Sequence, residues 1–217
     1  MSILDKKVII WDWNGTLLDD VNICVACISD LLKNRELTVL SLDRYRELFT
    51  FPVIEYYRAA GFDFSKEEFE KPAMEFIDLY HKHLHKAALF EQTRSILTHF
   101  SQNGYRQLVL SAMEQKMLIS SLKSNDILHF FDHVFGLDDH YASGKIEAGQ
   151  RLIDHLGMSP GDMVLIGDTL HDKEVAETLG INVVLVANGH QSKARLQASG
   201  HDLIVDSLAE LPKFFNR

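Results

Sequence analysis

The chain has 217 residues, with 22 basic against 31 acidic side chains for a net charge of −9, and only 12 glycines and 4 prolines. At about 150 residues per domain, that length holds one sizeable core plus an insertion, and the low glycine and proline share excludes collagen-like or low-complexity character. So acidic a chain repels a nucleic-acid backbone, and no run of lysine or arginine makes a local basic stripe, so no nucleic-acid partner is expected.

The first apolar run, Val8 to Trp11, follows Lys6 and Lys7 and is too short for a signal-peptide core or a membrane span. This reading places the protein in the cytoplasm, with no membrane partner. Six short apolar runs read as strands, at residues 7–11, 107–110, 133–135, 163–166, 183–186 and 203–205. Runs such as VIIW and VVLV are continuously apolar, as strands covered on both faces must be. Their alternation with helical segments predicts an α/β fold with a doubly wound parallel sheet, a Rossmann-like core.

Between the first two strands, residues 17–90 offer only helical periodicity. Helices are expected at 21–33, 43–49 and 53–60 and from Ser65 onward, where Ser65 and Glu68 read as a capping box and Pro72 kinks the helix or starts another. Such a stretch is too long for a crossover loop. It reads as an all-α cap domain, 17–90, inserted in a core formed by 1–16 and 91–217. Cys24 and Cys27 form a C-x-x-C, but with Ile28 and Leu31 they follow helical spacing and no second pair exists, so two buried thiols are expected. His81 and His85 share metal-pair spacing without a third ligand and read as a solvated face. Trp11 and Trp13 are assigned to the core. Residues 48–52 and Tyr56, Tyr57 and Arg58 either face the site or stabilise the cap.

In an open parallel sheet, ligands bind outside the carboxyl ends of the strands, where strand order reverses. After the first predicted strand stand Asp12, Trp13, Asn14, Gly15 and Thr16; after the second, Ser111 and Ala112; after the fourth, Gly167, Asp168, Thr169 and, one turn on, Asp172. Lys145, in Ser143-Gly144-Lys145, opens a helix between the third and fourth strands. That segment is no Walker-type loop, since Asp139 stands at the first-glycine position and Ile146 replaces the Ser/Thr.

These residue types suit a phosphate monoester. Mg²⁺ on one or two carboxylates neutralises the dianion, Lys145 adds positive charge, Ser111 offers a hydroxyl, and backbone N–H groups at Asn14 and Gly15 can cradle the oxygens. An aspartate can also serve as a covalent nucleophile, and phosphoryl transfer asks for little beyond positioning and electrostatics. Taken singly, each segment has a plainer use: a strand-end turn at Asp12, a helix N-cap at Asp168 or Thr169, a cap at Ser111 and a surface lysine at 145.

The segments DWNGTL, LVLSA, SGK and GDTLHD, in this order and strand context, resemble the haloacid dehalogenase superfamily of phosphohydrolases. The length, helical insertion and tail resemble its phosphoglycolate-phosphatase-like branch over essentially the whole chain. That resemblance implies Asp12 as nucleophile and Mg²⁺ ligand, the Asn14 backbone carbonyl as second ligand, Asp168 as the third, and Asp172 binding a metal water or steering Lys145. Ser111 and Lys145, with Asn14, Gly15 and Ala112, would hold the phosphoryl oxygens, and Thr16 would brace the turn. The cap would close over a small phosphorylated metabolite, exclude water and choose the leaving group, in a monomer or homodimer.

One position departs from the family pattern, in which the second residue after the nucleophile is an aspartate that protonates the leaving oxygen and then activates water. Here it is Asn14. An amide neither gives nor takes a proton at neutral pH, and general acid–base catalysis is worth roughly 10²–10⁴-fold. Three readings follow: an enzyme for good leaving groups such as acyl phosphates or pyrophosphate; a slow phosphatase that accumulates phosphoaspartate or takes its proton from the cap or substrate; or a non-catalytic phosphoryl-binding or interaction protein that keeps the metal site. The retention of Asp12, Lys145 and Asp168 favours catalysis.

Overall fold

The computed structural model describes residues 7–137 and 144–215, so Lys6, Asp139 and Ser143 lie outside the described residues. The chain begins with β1 (Val8–Trp11), β2 (Leu18–Asp19) and four helices, α1 (Val21–Lys33), α2 (Leu42–Leu48), α3 (Val53–Ala60) and α4 (Glu70–His83). After β3 (Ala88–Leu89) the elements alternate: α5 (Thr93–Gln102), β4 (Arg106–Glu114), α6 (Gln115–Ser124), β5 (His133–Leu137), α7 (Lys145–Leu156), β6 (Met163–Gly167), α8 (Leu170–Leu179), β7 (Asn182–Val186), α9 (Lys193–Ala198) and β8 (Ile204–Val205).

All six expected strands are present and pair side by side in the order β5-β4-β1-β6-β7-β8, every pair parallel. From β1 the chain moves out to β4 and β5, then crosses back to β6, β7 and β8 on the other side. The order therefore reverses between β1 and β6, where a doubly wound sheet leaves a crevice. Burial on both faces explains the continuous apolar runs. Ile9 and Trp11 point into one core cluster with Val164 and Ile166, while Val8 and Ile10 point into the other with Met163 and Leu165.

Local chemistry sets the element ends differently from expectation at several points. The Ser65 hydroxyl caps nothing: it bonds to the Asp63 carboxylate 2.6 Å away, and α4 starts only at Glu70. Pro72 sits in the first turn of α4, where a missing N–H has no intrahelical partner to lose. The stretch read as purely helical also holds a two-stranded antiparallel ribbon, β2 against β3, too short to show a period. His81 lies on α4 but His85 falls in a following 3₁₀ turn, so the two do not share one helix face. Strand β4 runs beyond Leu110 with an irregular register up to Glu114, which places Ser111 and Ala112 in a bulge, a feature common beside active sites.

A buried glutamine ties the sheet to α5. Gln107 accepts a hydrogen bond from Trp11 Nε1 (3.1 Å) and donates to the Leu97 carbonyl (2.9 Å) and Ser101 Oγ (3.0 Å). Replacing it with alanine strands a buried indole N–H and a carbonyl. Gln107→Ala is expected to cost about 1–3 kcal/mol, seen in urea unfolding as a lower midpoint at unchanged slope; an unchanged midpoint contradicts this role.

Candidate active site

The ladder between β1 and β6 continues one residue past Trp11, with the Asp12 N–H donating to the Ile166 carbonyl at 2.8 Å. That pairing fixes the Asp12 carboxylate beside those that follow β6. Lys145, the first residue of α7, reaches between them: its Nζ lies 2.5 Å from Asp12 Oδ1 and 2.6 Å from Asp172 Oδ1. Asp12, Lys145, Asp168 and Asp172 are each no more than 5% exposed.

Asp172 serves two structures at once. Its Oδ2 accepts from the Thr169 N–H and hydroxyl, closing a capping box at the start of α8, while Oδ1 holds Lys145. The helix-cap use of Gly-Asp-Thr and the site use thus coexist. Asp168 is held by the Thr16 hydroxyl (3.2 Å) and the His190 backbone N–H (2.6 Å). Gly15 and Gly189 make this approach possible, since a β-carbon at either would collide with the Asp168 carboxylate, and Gly15 also has φ +73°.

The charges do not balance: three buried carboxylates face one ammonium. Burial pushes Asp12 up to about 7 and Asp168 up to about 6, further aided by the neighbouring carboxylates. Burial opposes the charge on Asp172 as well, but Lys145 and the Thr169 hydrogen bonds outweigh it and hold that group below its usual range. Oxygens of Asp12, Asp168 and Asp172 lie within 4.8 Å of one another. An all-oxygen, under-neutralised set of this kind suits a hard divalent cation, so these residues fit Mg²⁺.

Other expected residues are placed as follows. Ser111 is buried with its Oγ accepting from the Met113 N–H (3.1 Å), and Glu114, not Ser111, caps α6. Ser111, Ala112 and Asn14 line the same cavity as Asp12 and Lys145. The Gly15 N–H, expected to meet a phosphoryl oxygen, instead donates to the Leu18 carbonyl (2.9 Å) and Asp20 Oδ1 (3.0 Å). Cys24 and Cys27 are free buried thiols, as expected. Phe49, Phe51, Pro52, Tyr56 and Tyr57 line the cavity, whereas Arg58 pairs with Glu55.

Sequence reasoning missed a second polar cluster. Asn14 Nδ2 donates to Asp20 Oδ2 and to the Tyr80 hydroxyl, both at 2.7 Å, and Tyr80 in turn donates to Asp20 Oδ2 at 2.7 Å. His190 Nε2 pairs with Asp20 Oδ1 at 3.2 Å and its Nδ1 meets the Tyr45 hydroxyl at 2.8 Å. Burial opposes the His190 charge, yet Asp20 raises its pKa to about 9. His190 follows β7, beside β6, so the strand-end rule could have found it; Asp20, Tyr45 and Tyr80 carry no sequence signal.

The profile of the haloacid dehalogenase-like hydrolases matches residues 9–186. The chain belongs to that family. Among curated relatives of this hydrolase, a phosphoglycolate phosphatase of Nitrosococcus oceani is 22% identical, with 97% of each chain covered. The pyrophosphatase PpaX of Bacillus cereus strain Q1 is 24% identical over 94% of each, while the match to PpaX of Bacillus mycoides, at 23%, spans 62% of this chain and 65% of that protein. A solved haloacid dehalogenase-like hydrolase of Streptococcus pneumoniae superposes with a TM-score of 0.84 at 20% identity, covering 97% of this chain and 98% of the other. Among the described residues, no helix of this hydrolase is long and apolar enough to cross a membrane.

The raised carboxylates carry a sign for stability. Asp12 and Asp168 bind protons more tightly folded than unfolded, so they lower stability as pH rises from the ordinary carboxylate range near 3.8 to about 7. His190 acts in the same direction, its contribution present below 6.5 and lost as pH rises through about 9. A cation bound only by the folded state relieves the carboxylate part. Added MgCl₂ is therefore expected to raise Tm more at pH 8 than at pH 5, and Asp168→Asn should flatten that difference. A larger shift at pH 5 contradicts it.

Proposed function

We propose that the chain is a Mg²⁺-dependent phosphohydrolase that takes a small phosphorylated metabolite through an aspartyl phosphate on Asp12. The observation that carries this reading is Lys145, buried between Asp12 and Asp172 at the switch point of the sheet with Asp168 alongside. The named activities of the phosphoglycolate phosphatase and pyrophosphatase relatives support a phosphate-bearing substrate. The protein works in the cytoplasm, as a monomer or homodimer.

Mg²⁺ would be held by Asp12, Asp168 and the Asn14 backbone carbonyl, with Asp172 steering Lys145, and would supply positive charge that lets a phosphoryl dianion approach the carboxylates. Asp12 attacks phosphorus, the bond to the leaving oxygen breaks, and the leaving group departs with the electron pair. Lys145 and the Ser111 hydroxyl hold phosphoryl oxygens as charge develops. Gly15 contributes space rather than a hydrogen bond, because its N–H is engaged by Leu18 and Asp20. Water then attacks the aspartyl phosphate at phosphorus and releases phosphate. Asn14 itself gives no proton to either step, since it is an amide and both its hydrogens point to Asp20 and Tyr80.

An aspartate at position 14 would stand beside Asp20, and like charge at that range raises a carboxyl pKa, so it would hold a proton at neutral pH. Asn14→Asp is expected to raise kcat/KM on a poor leaving group, glycerol 3-phosphate, by about 10²-fold or more, with a much smaller gain in kcat/KM on acetyl phosphate. Asp12→Asn should release no phosphate from either. Equal gains contradict the role given to position 14; wild-type release no greater than that of Asp12→Asn favours the phosphoryl-binding alternative.

A further inference from the structure

Resting on that reading, the wall of the cavity narrows the substrate class. The cavity that opens from Asp12 measures about 740 Å³, a volume within the range that holds drug-sized ligands and far beyond a two-carbon acid. Part of its lining is a run of touching rings. Phe49 lies 5.0 Å from His190, 5.3 Å from Tyr56 and 5.4 Å from Phe51 between ring centroids, and Phe51 stacks on His171 at 4.5 Å. Helix α4 adds Phe76, stacked on Tyr80, to the same lining.

Charge points the same way. Among the described lining residues Lys145 is the only lysine or arginine, and it is engaged by Asp12 and Asp172; His190 is engaged by Asp20. Glu70, Glu114 and Glu174 also line the cavity. A leaving group with its own carboxylate or phosphate meets no lysine or arginine there, whereas a flat ring meets offset and edge-on aromatic partners.

We propose that this hydrolase acts on aryl phosphate monoesters, with the phosphoryl group at Asp12 and Lys145 and the ring between Phe49, Tyr56 and Phe76. The chemistry of Asn14 leads independently to the same class. A phenol has a pKa of about 10 against about 15.7 for water, so an aryl oxygen leaves as the anion where an alkyl oxygen needs a proton. Asp12 attacks phosphorus, the P–O(aryl) bond breaks, and the phenolate keeps the electron pair and takes its proton from solvent. Hydrolysis of the aspartyl phosphate then yields inorganic phosphate and restores Asp12.

The test measures phosphate release by the full chain with MgCl₂ from phenyl phosphate, acetyl phosphate, 2-phosphoglycolate and pyrophosphate, with Asp12→Asn as blank. In parallel, calorimetry compares benzylphosphonate with phosphonoacetate. Phenyl phosphate is expected to exceed 2-phosphoglycolate by about 10²-fold or more in kcat/KM, to exceed pyrophosphate, whose anionic leaving group meets no lysine or arginine in the lining besides Lys145, and to show a KM at least about tenfold below that of acetyl phosphate, a good leaving group without a ring. Benzylphosphonate should bind and phosphonoacetate should not. Phe49→Ala should raise KM for phenyl phosphate more than for acetyl phosphate. Hydrolysis of 2-phosphoglycolate or pyrophosphate at or above the phenyl phosphate rate overturns the aryl assignment and leaves the phosphohydrolase reading standing. Release from none of the four overturns that reading and the leaving step together; tighter binding of phosphonoacetate than of benzylphosphonate overturns the ring site whatever the turnover.

Discussion

The structure is organised around one electrostatic problem: three carboxylates and one ammonium buried together at the ends of β1 and β6. Taking ions out of water costs several kcal/mol each, and their mutual attraction offsets that only with good geometry. The geometry here comes from the strongest parts of the fold. The parallel ladder aims Asp12, the α8 capping box fixes Asp172, and the first turn of α7 delivers Lys145. Glycines at 15 and 189 leave room for Asp168. The remaining negative excess suits the site to a hard divalent cation.

A second network joins the inserted helices to this centre. Asn14 sits on the turn after β1, Asp20 at the start of α1, Tyr80 on α4, Tyr45 on α2 and His190 after β7, and hydrogen bonds connect all five. The loop after β7 is also gripped from α2, where Arg46 donates to the Asn188 and Gly189 carbonyls. Helices that supply the ring wall are therefore held in register with the carboxylates. Under the proposed function, positioning of this kind would set the angle at which a bound ester meets Asp12, and small misplacements cost much of the rate.

Much of this was legible in the sequence, for identifiable reasons. Strands covered on both faces leave uninterrupted apolar runs, so all six core strands could be read, and strand ends in a doubly wound sheet collect ligands, so Asp12, Ser111, Lys145, Asp168 and Asp172 could be named as candidates that the fold brings to one cavity. Where the reading failed, the deciding partner was local and competing or distant in sequence. Asp63 took the Ser65 hydroxyl that would have capped α4. The Gly15 N–H was claimed by Asp20, and Tyr80 reaches Asn14 across 66 residues, a separation no periodicity encodes. The aromatic residues at 49, 51 and 56 were visible as types, but only the packing of α2 and α3 shows that they face the cavity.

The central claim is that Asp12 carries the phosphoryl group and that nothing at position 14 hastens its removal. Acid-quenched mass spectrometry of the protein during turnover of phenyl phosphate or acetyl phosphate tests it directly. The account predicts a single phosphoryl increment on the peptide containing Asp12, abundant at steady state, absent from Asp12→Asn and depleted in Asn14→Asp. Phosphate release with the increment on another residue, or with Asp12→Asn still turning over, contradicts it.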